Sequence, residues 1–211
     1  MSKHYGNIAF TDAVRKAQQD HGSQDFYDRK RRQGNATPGT DALTYDEGEY
    51  LIQRDSFYLA TTSETGWPYV QYRGGPAGFL RVVDDHTIGW ADFRGNLQYI
   101  STGNLAGDDR VALIAVDYVD QRRLKIYGRA RVVTIEDDPA LVSTFAMPDY
   151  QAVVERAVLV SVEAFDWNCP QHITPRYAAA ELEPHLGPLR RQLAALQAEN
   201  AQLREGLTPG E

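Results

Sequence analysis

The chain has 211 residues, of which 42% are hydrophobic, and a net charge of −7 at pH 7. This length allows one large domain, or one domain with a tail, and the acidity disfavours a general role in nucleic-acid binding. The single cysteine, Cys169, excludes an intrachain disulfide. No apolar stretch approaches the ~20 residues of a membrane span, and the first ten residues lack the apolar core of a signal peptide. We therefore expect a cytoplasmic protein.

The first 43 residues are predicted to form a helical extension. Residues 11–33 are typical of a surface helix because their apolar positions are few. Thr11 or Asp12 would cap its start, and Gly34 would end it.

A second, shorter helix is predicted to close one end of the fold. Residues 34–43 have the composition of a loop. Thr44 and Glu47 then fit a capping box, in which each side chain binds the backbone of the other residue. The helix that starts there should reach about Arg54.

Short segments rich in aromatic and β-branched residues follow, and turn signals separate them. Six of them lie at short spacing without long helices between them, which favours an antiparallel barrel over a βαβ fold. They are Phe57–Thr62, Pro68–Arg73, Phe79–Val83, Thr87–Ala91, Arg110–Tyr118 and Arg122–Val133. Residues 157–167 return to strand character and are expected to complete the sheet.

Two segments interrupt the strand pattern. The apolar residues within 96–106 do not alternate, and this predicts a helix across the barrel mouth, with Gly95 or Asn96 as its cap. Residues 137–156 predict one or two short helices, with a break at Met147-Pro148.

The tail from Pro188 is predicted to be helical, with leucines three and four residues apart, as in a heptad repeat. The members of this stripe are Leu189, Leu193, Leu196, Asn200, Leu203 and Leu207. If Leu193 occupies position a, so does Asn200, and a single Asn at a specifies a two-stranded partner. The same stripe also suits a helix packed on its own barrel, so both interpretations stay open.

A turn at Gly95 leaves a strand and enters a predicted helix. Free N–H groups at a helix start, together with an adjacent guanidinium, suit a phosphate. Arg94 would clamp the phosphate, and Asn96 and Gln98 would add neutral donors. Alternatively, Asp92 and Arg94 only pair with each other and cap the turn.

Two further stretches have residue types that suit a planar ligand. Gln71-Tyr72-Arg73-Gly74-Gly75 ends a strand at glycines, where a backbone can be approached closely. Arg73 there would stabilise a developing negative charge, although the stretch by itself favours an ordinary surface arginine before a turn.

The stretch from Asn168 to His172 contains amide and imidazole groups, which suit the edge of a heteroaromatic ring. A metal or nucleophile role for Cys169 and His172 is disfavoured, because there is no second cysteine and no histidine at ligand spacing.

Taken in order, these pieces resemble the pyridoxamine 5′-phosphate oxidase-like flavoproteins, the FMN-binding split-barrel family. The resemblance covers about residues 44–180 and depends on the order of the helix, the strands, the Gly-Trp-Pro turn and the Arg-Gly-Asn turn with its helix. Asp109–Leu113 and Leu124–Val133, which contains Gly128, continue the same order. The resemblance implies a mainly β fold with flanking helices, a six-stranded antiparallel split barrel over 44–180. Residues 1–43 would be the helical extension, and 181–211 the C-terminal helix.

The family binds FMN at a homodimer interface to which both subunits contribute. Carried over, the resemblance places Gln71, Tyr72 and Arg73, with Gly74 beside them, along the isoalloxazine ring and ribityl chain. Asp92 and Phe93 would follow the chain towards the phosphate. Arg94, Gly95, Asn96 and Gln98 would hold the phosphate, and Arg123 would be a polar flavin contact. Asn168, Gln171 and His172 would come from the partner subunit, over the ring.

The end of the chain departs from the vitamin B6 oxidase, whose C-terminal Arg/Trp-rich segment holds the vitamin's phosphate. Here the end is rich in Leu, Gln and Ala. The resemblance therefore implies an FMN-dependent oxidoreductase with another small-molecule substrate or electron donor. Alternatives are a flavin-binding or sensing protein without turnover, and a split barrel that binds deazaflavin or haem.

Overall fold

The computed structural model describes residues 2–33 and 39–206. The described part of the N-terminal extension contains three helices, α1 Lys3–Ala9, α2 Asp12–Asp20 and α3 Gln24–Gln33. The prediction of one helix over 11–33 is wrong, because Gly22 adopts a φ of +70°, a left-handed conformation that ends a helix. Gly34, the predicted stop, lies outside the described residues.

Helix α4, Tyr45–Ile52, begins at the predicted capping box. The Glu47 carboxylate accepts a hydrogen bond from the Thr44 backbone N–H at 3.0 Å and another from the Thr44 hydroxyl. The Tyr50 hydroxyl donates to the carbonyl oxygens of Ala115 and Arg122, each at 3.0 Å. The two Tyr50 bonds fix α4 to the sheet. The prediction of this helix is confirmed.

Seven strands form one antiparallel sheet in the order β2-β1-β5-β6-β7-β4-β3. They are β1 Ser56–Thr62, β2 Pro68–Gly74, β3 Leu80–Asp84, β4 Thr87–Phe93, β5 Arg110–Asp117, β6 Arg122–Thr134 and β7 Val154–Asn168. The mainly β, antiparallel prediction is confirmed, but the count of six strands is wrong. The 15-residue β7 is a full member that pairs with β6 on one side and β4 on the other.

The main core lies on one face of the sheet. Residues of β1 and β5 alternate between buried and partly exposed, as expected for strands with one covered face. Phe57 of β1 packs edge-on against Trp90 of β4, with ring centroids 4.9 Å apart. Since β1 and β4 are far apart in the strand order, this contact shows that the sheet curls over the core.

Helix α5 spans Ile100–Gly107, so the predicted start at residue 96 is wrong. Leu97 and Tyr99 have φ values of +62° and +52°, a left-handed conformation that a right-handed helix does not contain. Helix α6, Pro139–Thr144, is the one helix formed within residues 137–156.

Helix α7 spans Ala179–Gly206, nine residues earlier than the predicted start at Pro188. Leu207 of the predicted leucine stripe lies outside the described residues. No helix of the described chain has the length and apolar character that crossing a membrane requires.

Candidate functional site

A cleft of about 180 Å³ lies where β2, β4 and the start of α5 meet. Its lining includes seven residues that the sequence singled out: Gln71, Arg73, Asp92, Phe93, Gly95, Asn96 and Gln98. The β2 and β4 strands meet only because the sheet curls, since they lie near opposite ends of the strand order. A 2.6 Å ion pair between Arg73 Nη1 and Asp92 Oδ1 joins them.

Asp92 is the buried carboxylate of this cleft, with 7% of its surface exposed. Arg156 of β7 is its direct neighbour across the strands, and Arg156 Nε lies 3.5 Å from Asp92 Oδ2, an ion pair without hydrogen-bond alignment. Burial raises the pKa of Asp92, and this outweighs the opposing effect of the two guanidinium groups. The two ion pairs of Asp92 hold both arginines at the cleft.

Glu155 forms a second ionic cluster at the rim. It accepts hydrogen bonds from Arg94 Nε at 2.9 Å, from the Tyr99 hydroxyl at 3.3 Å and from Arg156 Nη2. The Arg94 hydrogen bond is the main cause of a lowered Glu155 pKa. The alternative that Arg94 pairs with Asp92 is wrong, because Glu155 is the partner of Arg94. Three guanidinium groups face two carboxylates here, which leaves a net positive charge.

The start of α5 lacks a side-chain cap. Tyr99 occupies the N-cap position, and its side chain does not bond the helix backbone. The first backbone N–H groups of a helix have no partner within the helix. Ser101 lies among them with 3% of its surface exposed, and its Oγ has no hydrogen-bond partner within residues 2–33 and 39–206. A buried hydroxyl without a partner is costly, so Ser101 is a candidate to bond a water or a ligand oxygen in the cleft.

Asn96 and Gln98 bond to each other at the mouth of the cleft. The Gln98 backbone N–H donates to Asn96 Oδ1, and Asn96 Nδ2 donates to Gln98 Oε1, both at 3.2 Å. Deeper in, Arg156 Nη1 donates to Thr102 Oγ1 at 3.5 Å, and the Arg156 guanidinium carbon lies 4.9 Å from the centre of the Tyr99 ring. Arg156 therefore supports the loop that enters α5.

The remaining predicted site residues do not line this cleft. Tyr72 lies on the other face of β2 from Gln71, where its ring packs edge-on against Tyr58. Gly74 ends β2 beneath the Tyr72 ring, since a Cβ there would lie 2.8 Å from Tyr72 Cε1.

The other four lie around the end of β7. Arg123 of β6 is opposite Asn168 of β7, and Arg123 Nε is buried without a hydrogen bond from any residue that the structure describes. Gln171 and His172 follow in an exposed turn, where His172 has a φ of +65°. A single chain therefore does not bring these residues to the cleft of Asp92. No group of three His, Cys, Asp or Glu side chains suited to a metal occurs in the described ranges.

Sequence reasoning missed Ser101, Thr102, Glu155 and Arg156. Glu155 and Arg156 do not stand out as site residues because the sequence pattern of 137–156 predicts helix, whereas β7 begins at Val154. A useful signal was available for Ser101 and Thr102, because hydroxyl residues in the first turn of a helix are common ligands for anions.

The family of the chain follows from its sequence. Residues 47–165 match the family model described as pyridoxamine 5′-phosphate oxidase. The chain belongs to the pyridoxamine 5′-phosphate oxidase family. The matched segment contains every residue that lines the cleft of Asp92. No curated protein matched the chain.

This chain aligns with most of the length of several solved structures. HupZ from Group A Streptococcus is 16% identical, with a TM-score of 0.49 over 64% of this chain and 99% of that one. An FMN-binding protein from Syntrophomonas wolfei is 11% identical, with a TM-score of 0.45 over 59% and 85%. An FAD-binding protein from Mycobacterium smegmatis is 16% identical, with a TM-score of 0.40 over 61% and 97%.

Proposed function

We propose that this family member binds FMN in the cleft of Asp92, at the interface of a split-barrel homodimer, and acts as an FMN-dependent oxidoreductase on an unidentified small molecule. Membership of the family supports the flavin. The observation that carries the proposal is the buried Ser101 hydroxyl, which has no partner in the described chain and lies at the uncapped start of α5.

The residues present fit a phosphate group. The positive end of the α5 dipole, the backbone N–H groups of its first turn and the Ser101 hydroxyl all favour an anion. The guanidinium of Arg94 is the predicted clamp, and it lies at the rim with 59% of its side chain exposed. Asn96 and Gln98 are already bonded to each other, so their part is to shape the loop and to offer the donors that remain.

Arg73 and Gln71 are the proposed contacts along the ring and the ribityl chain. Asp92 holds the Arg73 guanidinium at 2.6 Å, and a fixed positive charge beside a flavin ring stabilises negative charge that develops there. When bound, FMN supplies the acceptor and donor chemistry of hydride transfer, so no side chain of this chain is assigned as acid or base.

The homodimer is proposed to complete the site. Asn168, Gln171 and His172 do not line the cleft of their own chain, which agrees with their proposed delivery to the cleft of a second copy. Arg123 stays proposed as a polar flavin contact. The cytoplasmic location stays a prediction from the sequence.

The absorption spectrum of freshly purified protein tests the cofactor. We expect a flavin band near ~450 nm that bleaches under anaerobic reduction by NADH, NADPH or a substrate amine. A haem Soret band would contradict FMN. A flavin band that none of these reductants bleaches would leave a binding or sensing protein without turnover.

A further inference from the structure

Helix α7 exposes a continuous stripe of leucines. They are Leu182, Leu186, Leu189, Leu193, Leu196 and Leu203, and between 36% and 61% of the surface of each residue is exposed. With Leu193 at position a of a heptad, all six fall at a or d, and Asn200 fills the remaining a position. The stripe therefore does not pack on its own barrel. It begins at Leu182, seven residues before Leu189, where the predicted stripe begins.

The two prolines of α7 do not interrupt this stripe. Pro184 and Pro188 lie within the helix, and in the same heptad they fall at positions f and c. Both positions face away from an a/d seam. The seam therefore runs for 22 residues, from Leu182 to Leu203, which is about 33 Å at 1.5 Å per residue.

Asn200 selects the orientation of the partner helix. In a parallel, in-register pair, each a residue meets the same a residue of the partner, so the two Asn200 amides can bond to each other. In an antiparallel pair, or out of register, the amide would face leucine and lose its hydrogen bonds.

The charged residues beside the stripe agree with that orientation. In a parallel pair, a g residue faces the e residue five positions later in the partner helix. Glu199 at g then faces Arg204 at e, and Gln192 at g faces Gln197 at e. Arg190, also at e, is neutralised by Glu183 of its own helix at 2.8 Å.

We propose that α7 pairs with α7 of a second copy as a parallel, in-register, two-stranded coiled coil. This pairing depends only on α7 and holds whether or not the barrel binds FMN. Each dimer then has a two-fold axis along the coil, which also raises the local concentration of one barrel beside the other.

Disulfide trapping in the full-length chain tests the orientation. In a Cys169→Ser background, Leu203→Cys places a thiol at d, where the two copies meet, and Ala198→Cys places one at f, on the outer face. After mild air oxidation of dilute protein, non-reducing electrophoresis should show at least tenfold more disulfide-linked dimer for Leu203→Cys. Position 203 is far from the middle of the seam, so an antiparallel pair would separate the two thiols by most of the helix length.

The outcomes decide the proposal. No linked dimer at position 203, or equal yields at 203 and 198, would overturn it. Adding Asn200→Asp to Leu203→Cys should lower the yield severalfold, because two like charges would meet at a, and an unchanged yield would refute the register. The visible spectrum of the same samples reports the flavin independently, so a failure of one proposal is not mistaken for a failure of the other.

Discussion

Glu47 and Asp92 are both interior carboxylates, 5% and 7% exposed, yet their surroundings differ. Glu47 accepts hydrogen bonds from Thr44 and, at 2.6 Å, from Trp167 Nε1. These bonds outweigh the effect of burial and lower the pKa of Glu47. Asp92 faces two arginines, and burial still raises its pKa.

The polar groups near the two carboxylates differ as well. Neutral donors surround Glu47, and both of its oxygens are used. In the cleft that Asp92 lines, the buried Arg73 Nε and Ser101 Oγ lack hydrogen-bond partners anywhere in residues 2–33 and 39–206. Folding alone completes the first arrangement, whereas the proposed FMN would complete the second. Glu47 is therefore a structural carboxylate, and Asp92 is proposed to hold the groups of a binding site in position.

The largest expected effect is the loss of folding stability when Glu47 is replaced. Glu47→Ala removes the acceptor of the capping box and of the Trp167 indole, and should lower the free energy of unfolding by about 3 kcal/mol. Urea unfolding measures this, with the exposed Glu49→Ala on the same helix as a control that should change little. FMN affinity of the folded fraction should stay as in the wild type. If Glu47→Ala lowers the affinity for FMN and leaves the free energy of unfolding unchanged, Glu47 does not have the structural role that distinguishes it from Asp92.

Ser101→Ala should have the opposite profile. We expect FMN to bind about tenfold more weakly, ~1.4 kcal/mol, because one hydrogen bond to a charged phosphate is lost. The free energy of unfolding without flavin should not fall, because the variant removes a buried hydroxyl that lacks a partner. Fluorescence titration with FMN and with riboflavin checks this.

Riboflavin is the matched ligand, since it lacks only the phosphate. Its affinity should be equal for Ser101→Ala and the wild type. An equal loss for both ligands would place Ser101 away from the phosphate, and no loss for either would remove Ser101 from the site.

How far the sequence predicts these two arrangements depends on how local they are. Thr44 and Glu47 are three residues apart, so their capping box could be identified from spacing alone. Arg73 and Asp92 were each identified, but their ion pair requires the sheet to curl. Arg156 was missed because it lies 64 residues along the chain from Asp92 and joins it only through the pairing of β4 and β7. Spacing within one segment contains no information about such contacts.

Arg94→Ala should weaken FMN less than Ser101→Ala does. The Arg94 side chain is largely exposed and already paired with Glu155 at 2.9 Å, so water screens its charge from a phosphate. The loss should shrink further as salt is raised from low to physiological concentration. The matched control is Arg110→Ala, which removes another exposed, carboxylate-paired arginine outside the cleft. A loss larger than that of Ser101→Ala would make Arg94 the principal phosphate ligand.

The smallest expected effect is a difference in how the two carboxylates make the free energy of unfolding depend on pH. The pKa of Glu47 is lower in the folded chain than its ordinary value. The contribution of Glu47 to the free energy of unfolding is therefore present above the ordinary pKa and is lost as the pH falls through the folded pKa. The pKa of Asp92 is raised. Its contribution is therefore fully present below the ordinary value and declines as the pH rises through the folded pKa.

Glu47→Gln and Asp92→Asn, unfolded in urea from about pH 3.5 to 7 without flavin, should separate these two contributions. Relative to the wild type, Glu47→Gln should lose stability as the pH rises, because only the wild type gains from ionisation. Asp92→Asn should gain relative stability over the same change, because ionising the buried Asp92 costs the wild type more than its two arginines return. Slopes of the same sign would mean that Asp92 is held as favourably as Glu47, and that its surroundings need no ligand to complete them.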